Sequence, residues 1–211
     1  MQRGREFSIT TGATTLMNSR LCGSEHALAE LACDRLSGRN DCRILIGGYG
    51  MGFTLRAALS RLATDAQVVV AELVPAVLKW ARGPMADLTA GCLADPRVSV
   101  RQVDAGELIG TARSDFDAIL LDVDNGPDGL SRSPNSRLYD RQGLRATRKA
   151  LRPGGLLAIW SAAPDVAFKR RLSQAGFAVD EMTARAHNGR GGRYLIWIAT
   201  TANYRHSRMA V

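Results

Sequence analysis

The chain is poor in paired metal ligands and in long apolar runs, and each lack removes a class of protein. Its four cysteines, Cys22, Cys33, Cys42 and Cys92, are spaced 11, 9 and 50 residues apart, so there is no Cys-x-x-Cys pair and no zinc-knuckle pattern. They read most simply as reduced thiols of a cytoplasmic protein. The three histidines, His26, His187 and His206, are too dispersed to suggest a metal site, and no metal is expected. The first residues, Met-Gln-Arg-Gly-Arg-Glu-Phe-Ser, lead into no apolar stretch of signal-peptide type. No run approaches the ~18–20 apolar residues that a bilayer crossing needs, so neither secretion nor membrane insertion is expected. Gly-x-Ser-x-Gly and Gly-Lys-Ser/Thr are both missing, which removes the common hydrolase and triphosphatase readings. The Asn/Asp-Pro-Pro-aromatic loop of base and amide methyltransferases is missing too, and a nucleic-acid base methyltransferase is disfavoured.

What is present begins with charge. The 211 residues carry a net charge of +8, and the isoelectric point is about 9.9. The distribution of the cations matters more than their number. Arg141, Arg145, Arg148, Lys149 and Arg152 recur through one helical segment, Lys169, Arg170 and Arg171 sit on another, and Arg185, Arg190, Arg193, Arg205 and Arg208 populate the C-terminal end. Such scatter describes solvated helix faces in preference to a nucleic-acid surface, with RNA, an acidic partner or an anionic substrate left open. The length suits one domain burying roughly 70% of its unfolded surface. Core packing is the default for Trp80, Trp160 and Trp197.

The most informative segment is 44–52, Ile-Leu-Ile-Gly-Gly-Tyr-Gly-Met-Gly, an apolar run ending in a glycine-rich turn that opens a helical pattern at Phe53. Gly47, Gly48, Gly50 and Gly52 offer places where backbone can lie against a nucleotide with no Cβ in the way. Glu72 closes the next apolar run twenty residues after Gly52, the spacing at which a carboxylate can take both ribose hydroxyls of a bound nucleoside.

Strand candidates are near-continuous apolar runs and alternate with helical patterns, the signature of a doubly wound parallel α/β sheet covered on both faces. The expected series is strand Arg43–Ile46, helix Phe53–Ala63, strand Val68–Ala71, helix Pro75–Arg82, strand Val98–Gln102, helix Ala105–Gly110, strand Ala118–Leu121, helix Leu138–Leu151, strand Leu156–Trp160, helix Asp165–Ala175, and strands Ala178–Thr183 and Tyr194–Thr200. Arg152-Pro153-Gly154-Gly155 is expected to stop one helix and turn into the next strand. The last two strands suggest an antiparallel hairpin at the sheet edge, which makes a single-domain, seven-stranded, mostly parallel sheet. The expected division is an N-terminal segment with a capping helix over 1–40, a nucleoside-binding domain over 41–200 and a tail over 201–211.

Ligands of such sheets bind beyond the carboxyl ends of the strands. There lie the glycines, then Glu72, then Asp104 and Ala105, then Asp122-Val123-Asp124-Asn125-Gly126-Pro127. Asp104 is placed to accept from an exocyclic adenine amine, and Asp122 and Asp124 bring two carboxylates to the mouth. Each acid could equally be a helix N-cap or turn former.

These residues resemble the spermidine and spermine synthase-like proteins, a branch of the class I AdoMet-dependent methyltransferase fold. The resemblance runs from about Gly12 to Ala199. It is carried by the glycine turn with Thr54-Leu55-Arg56, Ala71-Glu72-Leu73, Leu93-Ala94-Asp95-Pro96-Arg97-Val98, Asp104-Ala105, Phe116 to Asp122, the Gly126-Pro127 step and Tyr139. It implies that Glu72 binds ribose, that Asp104 binds adenine, and that Asp122 deprotonates an attacking amine. Asp124 would then anchor a cationic substrate, and Tyr139 would serve as a wall or hydrogen-bond partner. Dimerisation of the chain with itself is implied by the resemblance alone.

Departures from the family bear on the donor. With the glycine turn aligned on Leu55-Arg56, Met51 stands where aminopropyltransferases carry an aspartate contacting the donor's aminopropyl amine. A separate N-terminal β-domain is not expected. In its place Thr14 to Glu25 leads into an amphipathic helix bearing Ala27, Leu28, Leu31, Ala32 and Leu36, with Ser24-Glu25 as its expected cap. The favoured expectation is therefore methyl transfer from S-adenosyl-L-methionine (AdoMet) to a small amine-bearing acceptor. The alternatives are aminopropyl transfer from decarboxylated AdoMet, making a polyamine, and a non-catalytic nucleoside- or RNA-binding protein.

Overall fold

Ile44, Leu45 and Ile46 are at most 1% exposed, because the strand they form lies at the centre of a sheet covered on both faces. A computed structural model describes residues 1–4, 6–12, 14–20, 22–123, 136–187 and 190–202. Its elements are β1 (Gln2–Arg3), β2 (Glu6–Thr11), β3 (Thr14–Asn18), α1 (Gly23–Arg35), β4 (Arg43–Gly47), α2 (Phe53–Arg61), β5 (Gln67–Ala71), α3 (Pro75–Arg82), β6 (Val98–Arg101), α4 (Ala105–Thr111), β7 (Phe116–Leu121), α5 (Ser136–Tyr139), α6 (Arg141–Ala150), β8 (Leu151–Ser161), α7 (Val166–Gln174), β9 (Phe177–His187) and β10 (Arg190–Thr201). Two 3-10 turns, Ala86–Thr89 and Cys92–Ala94, fill the connection between α3 and β6.

The seven-stranded sheet has the order β6-β5-β4-β7-β8-β10-β9. β4 pairs in parallel with β5 and β7, β5 with β6, and β7 with β8. β10 is antiparallel to both β8 and β9, which gives the expected edge hairpin. Alternate side chains enter two cores. Ile44, Ile46, Val68, Val70, Ala118 and Leu120 pack with Leu28 and Ala32 of α1 and Leu55 and Ala58 of α2. Leu45, Val69, Ile119 and Leu121 pack on the other face with Ile109 of α4, Leu144 of α6 and Phe168 and Leu172 of α7. Each such large side chain contributes about 1.5–3 kcal/mol by leaving water. No helix among the described residues is long and apolar enough to cross a membrane.

Four departures from expectation lie outside the crevice. First, β1, β2 and β3 form a three-stranded antiparallel sheet where none was expected. Phe7, Ile9 and Met17 rest on Met51, Phe53 and Met85, so this small sheet is held by apolar contact. Second, the helix expected over 138–151 is two helices. Asp140 caps α6 by accepting from the Gly143 N–H at 2.7 Å, and a Cβ at Gly143 would run into the Arg137 carbonyl. Third, Pro153-Gly154-Gly155 lies inside β8, as a register shift against Phe116 and Ala118 of β7, with Gly154 at φ 70°. Fourth, Trp80 is 39% exposed instead of core, whereas Trp197 is 1% exposed.

Helix α1 leads into the amino end of β4, so its first turn stands at the carboxyl end of the sheet. Leu28, Ala29 and Ala32 on it have no exposed surface, which makes α1 part of the main core.

Candidate active site

The strand order reverses between β5 and β7 on either side of β4, and the crevice above that point is where an open α/β sheet takes a ligand. The glycine turn lines it. Gly48, at φ 85°, donates its N–H to the Ala71 carbonyl at 2.8 Å, and a Cβ there would stand 3.2 Å from the Asp122 carbonyl oxygen. Gly50, at φ 55°, is covered by Met17 of β3, whose Sδ would lie 2.6 Å from a Cβ. Gly47 lies against Leu121 and the methyl of buried Ala105, and Gly52 lies under the Tyr49 ring.

Glu72, at 6% exposure, braces this turn. Its Oε2 accepts the Tyr49 N–H at 2.9 Å and its Oε1 accepts the Val74 N–H at 2.7 Å. A carboxylate has about four lone-pair positions, so two remain, one on each oxygen. That is the arrangement a ribose diol fits, and an AdoMet-type nucleoside is compatible with it. Asp104 is the N-cap of α4, its Oδ1 accepting from the Gly106 N–H at 2.7 Å. The cap role is thus in place, and any contact with adenine falls to the remaining capacity of that carboxylate.

Asp122 follows β7. Its Oδ2 accepts from the Thr54 hydroxyl at 3.1 Å. Burial pushes its carboxyl up to about 7, the nearby negative charge of Glu25 pushes in the same direction, and the Thr54 hydrogen bond opposes both. Asp124, Asn125, Gly126 and Pro127 lie outside the described residues. Tyr139 is 3% exposed, and its ring meets Phe168 edge-on at 5.8 Å. Its hydroxyl donates to the Val123 carbonyl at 3.3 Å, so the structure places it as a strut under the start of the acidic loop.

The sequence reading missed Glu25. Ser24-Glu25 does not cap α1: the N-cap is Cys22, with no side-chain cap bond, and the Ser24 hydroxyl donates instead to Glu25 Oε2 at 2.7 Å. Both residues are buried, at 5% and 8% exposure. Burial raises the proton affinity of the Glu25 carboxyl, opposed by the Ser24 hydrogen bond. A polar Ser-Glu pair just ahead of an apolar helix was the available signal, but capping explains that pattern equally well.

Comparison with known proteins supplies the family. The spermine/spermidine synthase domain matches residues 26–174. A polyamine aminopropyltransferase of Mycobacterium tuberculosis is 34% identical over 149 residues, which is 64% of this chain and 27% of that protein. One from Nitrosomonas europaea is 35% identical over 120 residues, 57% of this chain and 35% of that protein. The chain therefore spans about a quarter to a third of the length of these curated relatives. In the solved structure of spermidine synthase from Thermotoga maritima the fold recurs with a TM-score of 0.72 at 21% identity, covering 89% of this chain and 63% of that one. The aminopropyl name these relatives carry is that of the alternative expectation, and they give no support to methyl transfer as the main one. With a matched domain that takes in the glycine turn, Glu72, Asp104 and Asp122, the chain belongs to the spermine/spermidine synthase domain family.

Proposed function

We propose that this chain transfers an aminopropyl group from decarboxylated AdoMet to the amine of a small acceptor, making a polyamine. The observation that carries the proposal is the placement of Asp122 at the mouth of the crevice, next to the glycine turn that Glu72 braces. The nucleoside is held on one side by Glu72, and the acceptor amine meets Asp122 on the other. The amine lone pair attacks the carbon bound to the sulfonium sulfur; the C–N bond forms as the C–S bond breaks, and the electron pair stays on sulfur as a neutral thioether. The proton lost by the nitrogen passes to the Asp122 carboxylate, a general-base step that typically contributes 10²–10⁴-fold. An acid with a pKa of about 7 suits that role, because it is partly ionised at neutral pH and still basic enough to take a proton.

Met51 bears on the donor. It is 1% exposed within the cluster under the N-terminal sheet, so no acid stands there to meet the donor's tail amine. The test therefore offers both donors. With decarboxylated AdoMet and a diamine, the proposal expects methylthioadenosine and an aminopropylated diamine by mass spectrometry. S-adenosylhomocysteine from AdoMet, with no methylthioadenosine from the decarboxylated donor, would replace aminopropyl transfer by methyl transfer.

A further inference from the structure

Three buried groups meet where α1 begins. The first turn of α1 packs on the first turn of α2, with His26 edge-on to Phe53 at 5.9 Å between ring centroids. Thr54, the next residue, is 4% exposed and turns its hydroxyl to Asp122. Ser24 and Glu25 are buried on the α1 side of the same junction. We propose that Glu25 is a positioning residue of the site: its carboxylate, fixed by the Ser24 hydroxyl on the α1 side of the α1–α2 junction, adds its charge to the effect of burial so that Asp122 holds its proton until a cationic acceptor arrives. The effect on turnover rests on the transfer reading above; the pairing itself does not.

The physical case is like-charge repulsion in a place that water screens poorly. Among the described residues no Lys or Arg pairs with either carboxylate: Asp122 is tied to the Thr54 hydroxyl, and Glu25 to the Ser24 hydroxyl and its own backbone N–H. The other groups at the junction do not cancel the repulsion. From α1 they are His26, whose charge would favour ionised Glu25, and Cys22, whose thiol is pushed up by burial and by Glu25. From α2 comes Arg56, which acts on Cys22; from the segment after β7, the Val123 carbonyl is taken by Tyr139. An acceptor ammonium brings the missing positive charge, so binding the acceptor and ionising Asp122 assist each other.

The test reads Asp122 directly. The stability difference between the protein and its Asp122→Asn variant, followed by urea denaturation from pH 4 to 9, falls with pH and levels off at a break set by the native titration of Asp122. Repeated in a Glu25→Gln background, that break is expected to move down by about one pH unit, and the acidic limb of the turnover profile to move with it. An unchanged break overturns the proposal. Should Glu25→Gln fail to fold, Ser24→Ala serves as the second arm: it withdraws the hydrogen bond that favours ionised Glu25, so the Asp122 break falls again, and a break that stays put overturns the proposal equally. A protein with the expected shift of the break but no transfer from either donor would sink the proposed function and leave the Glu25–Asp122 pairing standing.

Discussion

Strand β7 carries an acid near each end, and the two are treated in opposite ways. At the amino end Asp117, 6% exposed, accepts from Arg39 at 3.3 Å, from the Arg43 backbone N–H at 2.9 Å and from Arg152 at 2.7 Å. Asp115 beside it takes Arg43 at 2.6 Å. At the carboxyl end, five residues along, the described residues give Asp122 one hydroxyl and a neighbouring acid. An acid that only holds structure is neutralised by its partners; an acid left under-neutralised in a crevice keeps its charge change available for a ligand. Both ends of β7 carry acids, and among the described residues the imbalance lies at the carboxyl end.

The widest break between the two ends is in activity against stability. Asp122→Asn is expected to lower transfer by about 10²–10⁴-fold, the usual worth of a general base, while leaving stability at pH 8 unchanged or raised, because a partly buried charge with no cationic partner among the described residues is removed. Steady-state rates and urea midpoints on the same preparation check both halves. Asp117→Ala is the converse. Two guanidinium groups and a backbone N–H lose their acceptor, for a loss of about 2–4 kcal/mol, below the fully buried extreme because the arginines are partly solvated. Donor binding by the folded fraction should stay as it was, and a variant as stable as the parent would end the structural reading of Asp117.

Glu72 sits between these extremes, since it holds the turn and faces the crevice at once. Glu72→Gln can still accept one of the two backbone N–H bonds but turns an amide donor toward the other. Nucleoside affinity measured by calorimetry is expected to fall about 10- to 100-fold, the worth of 1.5–3 kcal/mol for hydrogen bonds to a charged group. Unaltered affinity in a folded variant would contradict the ribose role.

Much of this contrast could be read in advance, and the part that could not has a physical reason. Continuous apolar runs such as 44–46 and 118–121 marked central strands because burial on both faces suppresses alternation. The positions of Glu72 and Asp122 beyond strand ends were legible because they directly follow such runs, whereas Asp104 follows the alternating, half-buried strand β6. The N-terminal sheet was missed although Phe7 and Ile9 alternate with Glu6, Ser8 and Thr10, since its strands are short and bury only one face on a small cluster. The break at Asp140 was missed because an apolar period runs through it, and the close approach of Gly143 to the Arg137 carbonyl is a tertiary fact. Glu25 was illegible for the same kind of reason: nothing in Gly-Ser-Glu-His says that α1 will lay its first turn against α2.

The smallest expected effect sharpens the comparison most, because it turns on sign. The Asp-Pro-Arg-Val run, which resemblance had marked, is a structural tie: Asp95 takes the Arg97 backbone N–H at 2.9 Å and its guanidinium at 2.8 and 2.9 Å, while Arg97 also donates to the Leu62 carbonyl at 3.0 Å. The guanidinium and then the N–H of Arg97 hold the Asp95 carboxyl down at about 2, against an ordinary 3.8. Its native form binds fewer protons than the unfolded chain between those values, so its contribution is present above pH 4 and is lost as pH falls toward 2. Asp122 runs the other way. Raised from 3.8 to about 7, it binds more protons when native, so its contribution is full below pH 4 and is lost as pH climbs to 7. Urea midpoints from pH 2 to 8 should therefore show two slopes of opposite sign. Asp95→Asn is expected to flatten only the acid one, modestly because the pair is partly solvated, and Asp122→Asn only the one between pH 4 and 7. A fall between pH 4 and 7 that survived Asp122→Asn would mean the under-neutralised acid lies elsewhere, and the difference between the two ends of β7 would no longer locate the chemistry.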